Sequence, residues 1–210
     1  MTKKPDTITE IRYSPNKKVF GVSGSPRKGG NSDVILKHIT KGVGQHGIPF
    51  ENARLFNYDY QPCIGCEKCR KKNVCKGLKD GMHLLYPNVI ESQGIVLVCP
   101  THNYNITAWM KAFIDRLYCL YIFDDNRPRG WSSCLNGQNR KAVIAAVCEQ
   151  IDKNDMGFTL EAMRRPIEAL GYEVVGEMAV FGIFDRGAVR HENKTLTKAM
   201  ELGNLLAKRL

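Results

Sequence analysis

The sequence predicts an α/β fold: a doubly wound, five-stranded parallel sheet with a cysteine-rich insertion after its second strand. Three observations predict it. Short apolar runs of strand length alternate with amphipathic runs of helical period, the pattern of right-handed strand–helix–strand crossovers. A glycine-rich stretch, residues 24–32, joins the first strand to the first helix. Four of the chain's eight cysteines crowd between Cys63 and Cys75, in a stretch with neither periodicity.

In chain order, residues 1–17 read as a polar N-terminal arm and residues 18–210 as one domain, a size that suits a single core. Lys18 to Ser23 is a buried parallel strand ending in a glycine-rich turn. The helix that follows places Ile35, Leu36, Ile39 and Val43 on one face, and Gly42, Gly44 and Gly47 end it. Phe50 to Phe56 is the second strand. Residues 57–79 form the cysteine loop, with at most a short helical stretch. Asp80 caps a helix through Leu84, Leu85 and Val89 that Pro87 keeps short or kinks.

Gly94 to Cys99 is the third strand, followed by an amphipathic helix carrying Ile106, Met110, Phe113, Ile114 and Leu117. Phe123 to Gln138 reads as an irregular loop, long enough to suggest a function. Lys141 to Cys148, a helix from Phe158 to Leu170, a fifth strand from Tyr172 to Ile183 and a last helix from about Arg190 complete the chain. With a ligand loop after the first strand, the expected order is the flavodoxin-like 2-1-3-4-5, whose ligand lies beyond the carboxyl ends of strands one and three.

Composition narrows the function classes. The apolar fraction is 43 %, enough for a full core, and no stretch approaches the unbroken length of a membrane span. The polar N-terminal segment has no apolar stretch of the signal-peptide kind, so a cytoplasmic location is expected, where clustered cysteines read as metal or redox sites. The net charge of +10 is dispersed and first of all a matter of solubility. Its local concentration at Arg70, Lys71, Lys72, Lys76 and Lys79 suits an acidic electron carrier. Nucleic acid is disfavoured, since there are no aromatic RNA-binding boxes, zinc-finger histidine pairs or basic heptads.

The loop Gly24-Ser-Pro-Arg-Lys-Gly-Gly-Asn-Ser32 offers hydroxyls from Ser25 and Ser32, an amide from Asn31 and cations from Arg27 and Lys28. Backbone N–H groups at the following helix N-terminus complete an anion pocket. Asn31 stands where a Walker loop has its lysine, and the dinucleotide spacing G-x-G-x-x-G is absent. A single monophosphate fits, and FMN is the usual ligand of that kind in this topology.

The cysteines are spaced C-x2-C-x2-C-x5-C. Each two-residue gap turns the next sulfur back toward a common centre, and Gly65 eases the first turn. The compact triple favours an iron–sulfur cluster. Structural zinc, which more often uses two separated pairs, and disulfides stay open as alternatives. The run Arg70-Lys71-Lys72 is the expected positive charge beside such a cluster. Cys99, Cys119, Cys134 and Cys148 read as small buried hydrophobes, and Tyr121 and Trp131 as packing at a loop base.

Three stretches taken together, residues 24–32, Cys63 to Cys75 and Pro100-Thr-His-Asn-Tyr-Asn-Ile-Thr-Ala-Trp-Met-Lys-Ala-Phe-Ile-Asp-Arg116, resemble the iron-sulfur flavoprotein family. That family is a branch of the flavodoxin-like NADPH-dependent FMN reductases. The resemblance runs from about Lys18 to the C-terminus and is motif-specific from Gly21 to Arg116. It implies one FMN and one 4Fe-4S cluster per subunit of a homodimer or homotetramer, with the cluster of one subunit near the flavin of another. Electrons would come from ferredoxin or NAD(P)H and leave to a small acceptor.

Carried over, Ser25, Arg27, Asn31 and Ser32 hold the FMN phosphate, while Pro100, Thr101, His102, Asn103, Tyr104 and Asn105 line the ribityl chain and the isoalloxazine. Cys63, Cys66, Cys69 and Cys75 ligate the cluster, and no side chain is assigned as catalytic nucleophile or base. Lys111, Asp115 and Arg116 match the helix motif and read as surface or locally paired charges. His102 departs from the family, which more often has Tyr there. Two other functions stay open: an NAD(P)H-dependent FMN or quinone reductase with structural zinc, and a redox-sensing binding protein without turnover.

Overall fold

The computed structural model describes residues 15–210. Its ordered elements are β1 (Asn16–Ser23), α1 (Asn31–Gly44), β2 (Phe50–Arg54), α2 (Tyr86–Glu91), β3 (Ser92–Pro100), α3 (Ala108–Arg116), β4 (Tyr121–Phe123), β5 (Trp131–Ser133), β6 (Arg140–Val147), α4 (Thr159–Ala169), β7 (Tyr172–Val180) and α5 (Asn193–Arg209). The main sheet is parallel throughout in the order β2-β1-β3-β6-β7. Counting only its own strands, that is the expected 2-1-3-4-5.

Strand alternation divides the core in two. Val19, Val96, Val98, Val143 and Ala145 face one side, where Ile35 and Ile39 of α1 and Ala199, Leu202 and Leu206 of α5 cover them. Phe20, Val22, Ile95, Leu97 and Ile144 face the other, under Val89 of α2, Met110 and Phe113 of α3, and Met163 and Ile167 of α4. Helices α1 and α5 cross very closely. A Cβ on Gly203 would stand 1.9 Å from the Ile39 carbonyl oxygen, and one on Gly42 would stand 2.3 Å from that of Met200.

Several expected boundaries move. Residues 1–14 of the expected arm lie outside the described residues, and Asn16 and Lys17 already belong to β1. The second strand stops at Arg54, because the chain turns Leu55 fully into the core through a 3-10 turn. The expected helix after Asp80 divides: Asp80 accepts a hydrogen bond from Met82 N–H and caps a 3-10 turn, Gly81–Leu84. Pro87 then lies in the first turn of α2, where a missing N–H is harmless. The fifth strand ends at Val180, with Gly182 at φ +71° just beyond.

The expected irregular loop at 123–138 contains β5, which pairs antiparallel with β4 in a small ribbon. Aromatic contacts build it. Tyr118 stacks on Phe123 at 5.1 Å, and Tyr121 meets Trp131 edge-on at 5.5 Å.

Buried Arg140, which sequence reading passed over, anchors α2 to the sheet. It donates to the carbonyls of Val89 (2.8 Å) and Ser92 (2.7 Å) and to that of Ile90, and to the Tyr172 hydroxyl at 3.0 Å. A cation at the carbonyl end of a helix is well placed.

Candidate functional site

Loops at the carboxyl ends of the parallel strands enclose one cavity lined by Ser25, Arg27, Asn31, Ser32, Pro100, Thr101 and His102. These are seven of the ten residues expected there. Ser25 and Ser32 are almost fully buried. Helix α1 starts at Asn31 without any side-chain cap, so its first N–H groups stay available to an anion.

The loop is braced from beneath by Asp33. Its carboxylate accepts from Ser23 Oγ (2.6 Å) and Gly29 N–H (2.8 Å) and pairs with Arg54 at 2.7 Å.

The far wall was not foreseen. It comes from the end of β6 and the loops after β6 and β7: Val147, Glu149, Ile183, Phe184 and Arg186. Arg27 reaches across to it, donating to the Phe184 carbonyl at 3.0 Å with its guanidinium 4.4 Å from that ring's centre. Asn31 also ties this wall to α1: its side chain donates to the Asp185 carbonyl and accepts from Val189 N–H. No periodicity or motif in 183–186 marks these residues in the sequence. Only the closure of the sheet brings them here.

Asn103, Tyr104 and Asn105 stand outside this cavity's lining. His102 and Asn105 exchange both backbone hydrogen bonds, at 2.8 and 3.1 Å, around a two-residue turn. Asn103 and Tyr104 both have positive φ there, at 49° and 63°, the conformation of a type I′ turn. A tyrosine so placed is strained, and such strain collects at functional sites. Gly157 makes room for it, since a Cβ there would lie 2.2 Å from the Tyr104 carbonyl oxygen. Packing around the ring, and then the charge of Arg27, hold His102 below the ordinary imidazole value.

The cysteine segment contains no helix; it is a chain of turns. Gly65, Glu67 and Asn73 take positive φ, and Cys63, Cys66, Cys69 and Cys75 all line one cavity. Gly65 turns as the spacing suggests. Asn73 fastens the loop to the ribbon side, donating to the carbonyls of Cys119 (3.3 Å) and Tyr121 (2.9 Å). A Cβ on Gly77 would fall 2.3 Å from Cys66 Sγ, so the present position of that thiol depends on a glycine opposite it.

Three residues outside the loop share this cavity, Arg116, Tyr118 and Cys119. Arg116 and Cys119 revise the sequence reading. Lys111 and Asp115 pair locally at 2.6 Å as expected, but Arg116 is 2 % exposed. It is held by both Asp80 oxygens (2.6 and 3.0 Å) and the Gln61 carbonyl (2.8 Å), with Nη2 3.5 Å from Cys75 Sγ. Cys119 is a small buried residue as expected, yet it forms part of the cavity wall.

Charge at the cavity is uneven. Cys69 is pushed above the ordinary thiol value, first by burial and, against an opposing backbone hydrogen bond, by the neighbouring charges of Cys75, Cys63 and Cys66. Cys75 is lowered. Burial opposes this, but hydrogen bonds from the Leu78 backbone and Tyr86 and the positive charge of Arg116 outweigh it. Four thiolates here call for positive charge among them.

Of the run Arg70-Lys71-Lys72 expected to supply it, Arg70 faces Glu67 at 3.6 Å and Asp125 at 3.4 Å. Among the described residues no helix is long and apolar enough to cross a membrane.

Comparison with known proteins gives a consistent picture. Residues 17–176 match the family model for NADPH-dependent FMN reductase. The chain is 30 % identical over 190 residues to an iron-sulfur flavoprotein of Archaeoglobus fulgidus, covering 90 % of this chain and 79 % of that one. It is 32 % identical over 134 residues to an iron-sulfur flavoprotein of Methanocaldococcus jannaschii, covering 64 % and 69 %.

Among solved structures, an NAD(P)H:quinone oxidoreductase from Methanothermobacter marburgensis superposes with a TM-score of 0.66 at 16 % identity, over 91 % of this chain and 99 % of that one. An FMN-dependent NADH-azoreductase from Bacillus anthracis, solved with FMN, gives the same score and identity over 91 % of this chain and the whole of the other. At that identity the likeness is one of fold.

Proposed function

The chain belongs to the NADPH-dependent FMN reductase family and, within it, to the iron-sulfur flavoproteins, and from this premise we propose that it is an electron-transfer oxidoreductase holding one FMN and one 4Fe-4S cluster per subunit. The observation that carries the reading is the presence of two separate cavities on one fold. One is an anion pocket at the carboxyl ends of β1 and β3, and the other is a cavity lined by four cysteines and by the buried Arg116.

The donors suit each group. Ser25, Ser32 and Arg27, with the uncapped start of α1, supply hydroxyls, a cation and backbone N–H groups for a phosphate without any Walker lysine. Residues 100–105 would border the rest of the flavin.

Zinc bonds each thiolate at about 2.3 Å and draws all four to one point, whereas a four-iron cluster binds each at a different iron. The compact spacing of four cysteines that line one cavity, together with the likeness to iron-sulfur flavoproteins, favours the cluster.

FMN exchanges one or two electrons and a cluster one at a time, so together they supply a junction between hydride-type donors and single-electron carriers. The chain's own part is to hold the phosphate end at Ser25, Arg27 and Ser32, to keep the four thiols converged through Asn73 and Gly77, and to place a buried cation beside Cys75. The proposed donor is ferredoxin or NAD(P)H, the acceptor a small molecule, and the assembly a homodimer or homotetramer.

The test is anaerobic purification followed by a visible spectrum and a count of iron, acid-labile sulfide and flavin. Four irons, four sulfides and one FMN per chain are expected. Flavin with stoichiometric zinc and no sulfide would sink the cluster. Reduction of the bound flavin by NADPH and by reduced ferredoxin then identifies the donor class, and failure of both would count against an electron-transfer enzyme.

A further inference from the structure

We infer that Arg116, fixed by Asp80, raises the reduction potential of the cluster by placing a buried positive charge against the Cys75 sulfur. The inference rests on the reading of the cysteine cavity as a cluster site and goes beyond it by naming the residue that sets the potential. The guanidinium is 2 % exposed, and its Nη2 lies 3.5 Å from Cys75 Sγ. Its Nε has no acceptor among the described residues. A buried donor left unpaired is costly, and a cluster sulfur in the cavity that Arg116 lines would supply the missing acceptor.

Reduction adds one negative charge to an assembly that already carries four thiolates. A nearby cation out of reach of water stabilises the reduced form more than the oxidised one, and donors to cluster sulfurs act in the same direction. Asp80 offsets part of the charge, but its two-point grip keeps the guanidinium from swinging away. Arg70, whose side chain is 22 % exposed, meets two acidic partners, which offset its charge.

Arg116→Gln and Arg116→Lys are made in the full chain, loaded anaerobically with cluster and FMN. After iron and sulfide are counted, each is titrated against ambient potential with the reduced cluster followed by electron paramagnetic resonance. In Arg116→Gln the ratio of reduced to oxidised cluster at a given potential falls at least tenfold, a downward shift of about 59 mV for one electron. Arg116→Lys, which keeps the charge but loses the fork, lies between that variant and the wild type.

A merely structural brace would lower the melting temperature and leave the potential where it was. An unchanged potential in Arg116→Gln holding wild-type iron and sulfide therefore overturns the inference. Where that variant does not fold, Asp80→Asn decides: it keeps the cation and removes the anion that offsets it, so the potential should rise, and an unchanged potential would overturn the inference. Wild-type protein without iron and sulfide would instead refute the cluster reading beneath it.

Discussion

Asp80 and Arg116, 36 residues apart, meet in a two-point ion pair beside the cysteine cavity, with Nη1–Oδ2 at 2.6 Å and Nη2–Oδ1 at 3.0 Å. The Arg116 side chain is 1 % exposed and that of Asp80 14 %. Removing one partner of a buried pair strands the other, at about 3–5 kcal/mol. Asp80→Asn is therefore expected to lower unfolding stability by roughly 3 kcal/mol. Asp115→Asn, which breaks an exposed pair with Lys111, is expected to lower it by less than about 1 kcal/mol. Denaturant unfolding of the two variants side by side checks the contrast, and equal losses would refute it.

The same pair predicts an acid dependence. Burial works against ionised Asp80, yet the hydrogen bond from Arg116 and those from the Gln61 and Met82 backbones hold its carboxyl below the ordinary value. A folded value below the unfolded one stabilises the protein above the unfolded carboxylate range, and that stabilisation disappears as pH falls through the folded value. The stability difference between wild type and Asp80→Asn should accordingly be constant above about pH 5 and shrink as pH falls from there through the folded value. A difference that stays constant through that fall would assign the stabilisation to something other than ionised Asp80.

Gly77 tests whether the cysteine cavity is built for a ligand. Its Cβ would intrude to 2.3 Å from Cys66 Sγ, while the loop around it is only half-buried. Gly77→Ala should thus keep the fold, read by circular dichroism, and lose most of its iron after anaerobic reconstitution. Full iron in this variant would mean that Cys66 need not occupy the position it has here.

What the sequence made legible follows physical range. Strand and helix periodicities are local, so the sheet order and the two core faces could be read from runs such as Gly94 to Cys99. Cysteine spacing and the glycine-rich loop are local too, and seven of ten pocket residues did come together. What was missed depends on tertiary closure. Arg116 reads as one more charge on an amphipathic helix until Asp80 arrives from another segment to bury it. Arg140 looks like a strand-end cation until α2 presents its carbonyls. Phe184 and Arg186 become pocket wall only because β7 ends beside β6. The β4–β5 ribbon was hidden because its strands are three residues each and its turn lacks a strong hairpin signal.

The α1–α5 crossing makes a sharp demand on small residues. A Cβ on Gly203 would overlap the Ile39 carbonyl, and backbone has no rotamer to give way. Gly203→Ala should force the helices apart and cost about 1–3 kcal/mol, despite alanine's better helix propensity of about 1 kcal/mol. Denaturant midpoints would show this, and a neutral or stabilising change would mean that the crossing is looser than its geometry.

Arg27 separates recognition of the phosphate from recognition of the flavin ring. It lines the anion pocket together with Ser25 and Ser32, and the Phe184 carbonyl and ring hold it from the far side. A hydrogen bond to a charged group contributes roughly 1.5–3 kcal/mol, so Arg27→Ala should weaken FMN binding about tenfold or more. Riboflavin, which has the same ring and no phosphate, offers Arg27 nothing to grip, and its affinity should be nearly unchanged. Titrating flavin-free protein with each compound by fluorescence gives both numbers. An equal loss for FMN and riboflavin would place the effect of Arg27 at the ring or in the loop's shape, and the phosphate would then have to be held by Ser25, Ser32 and the start of α1 alone.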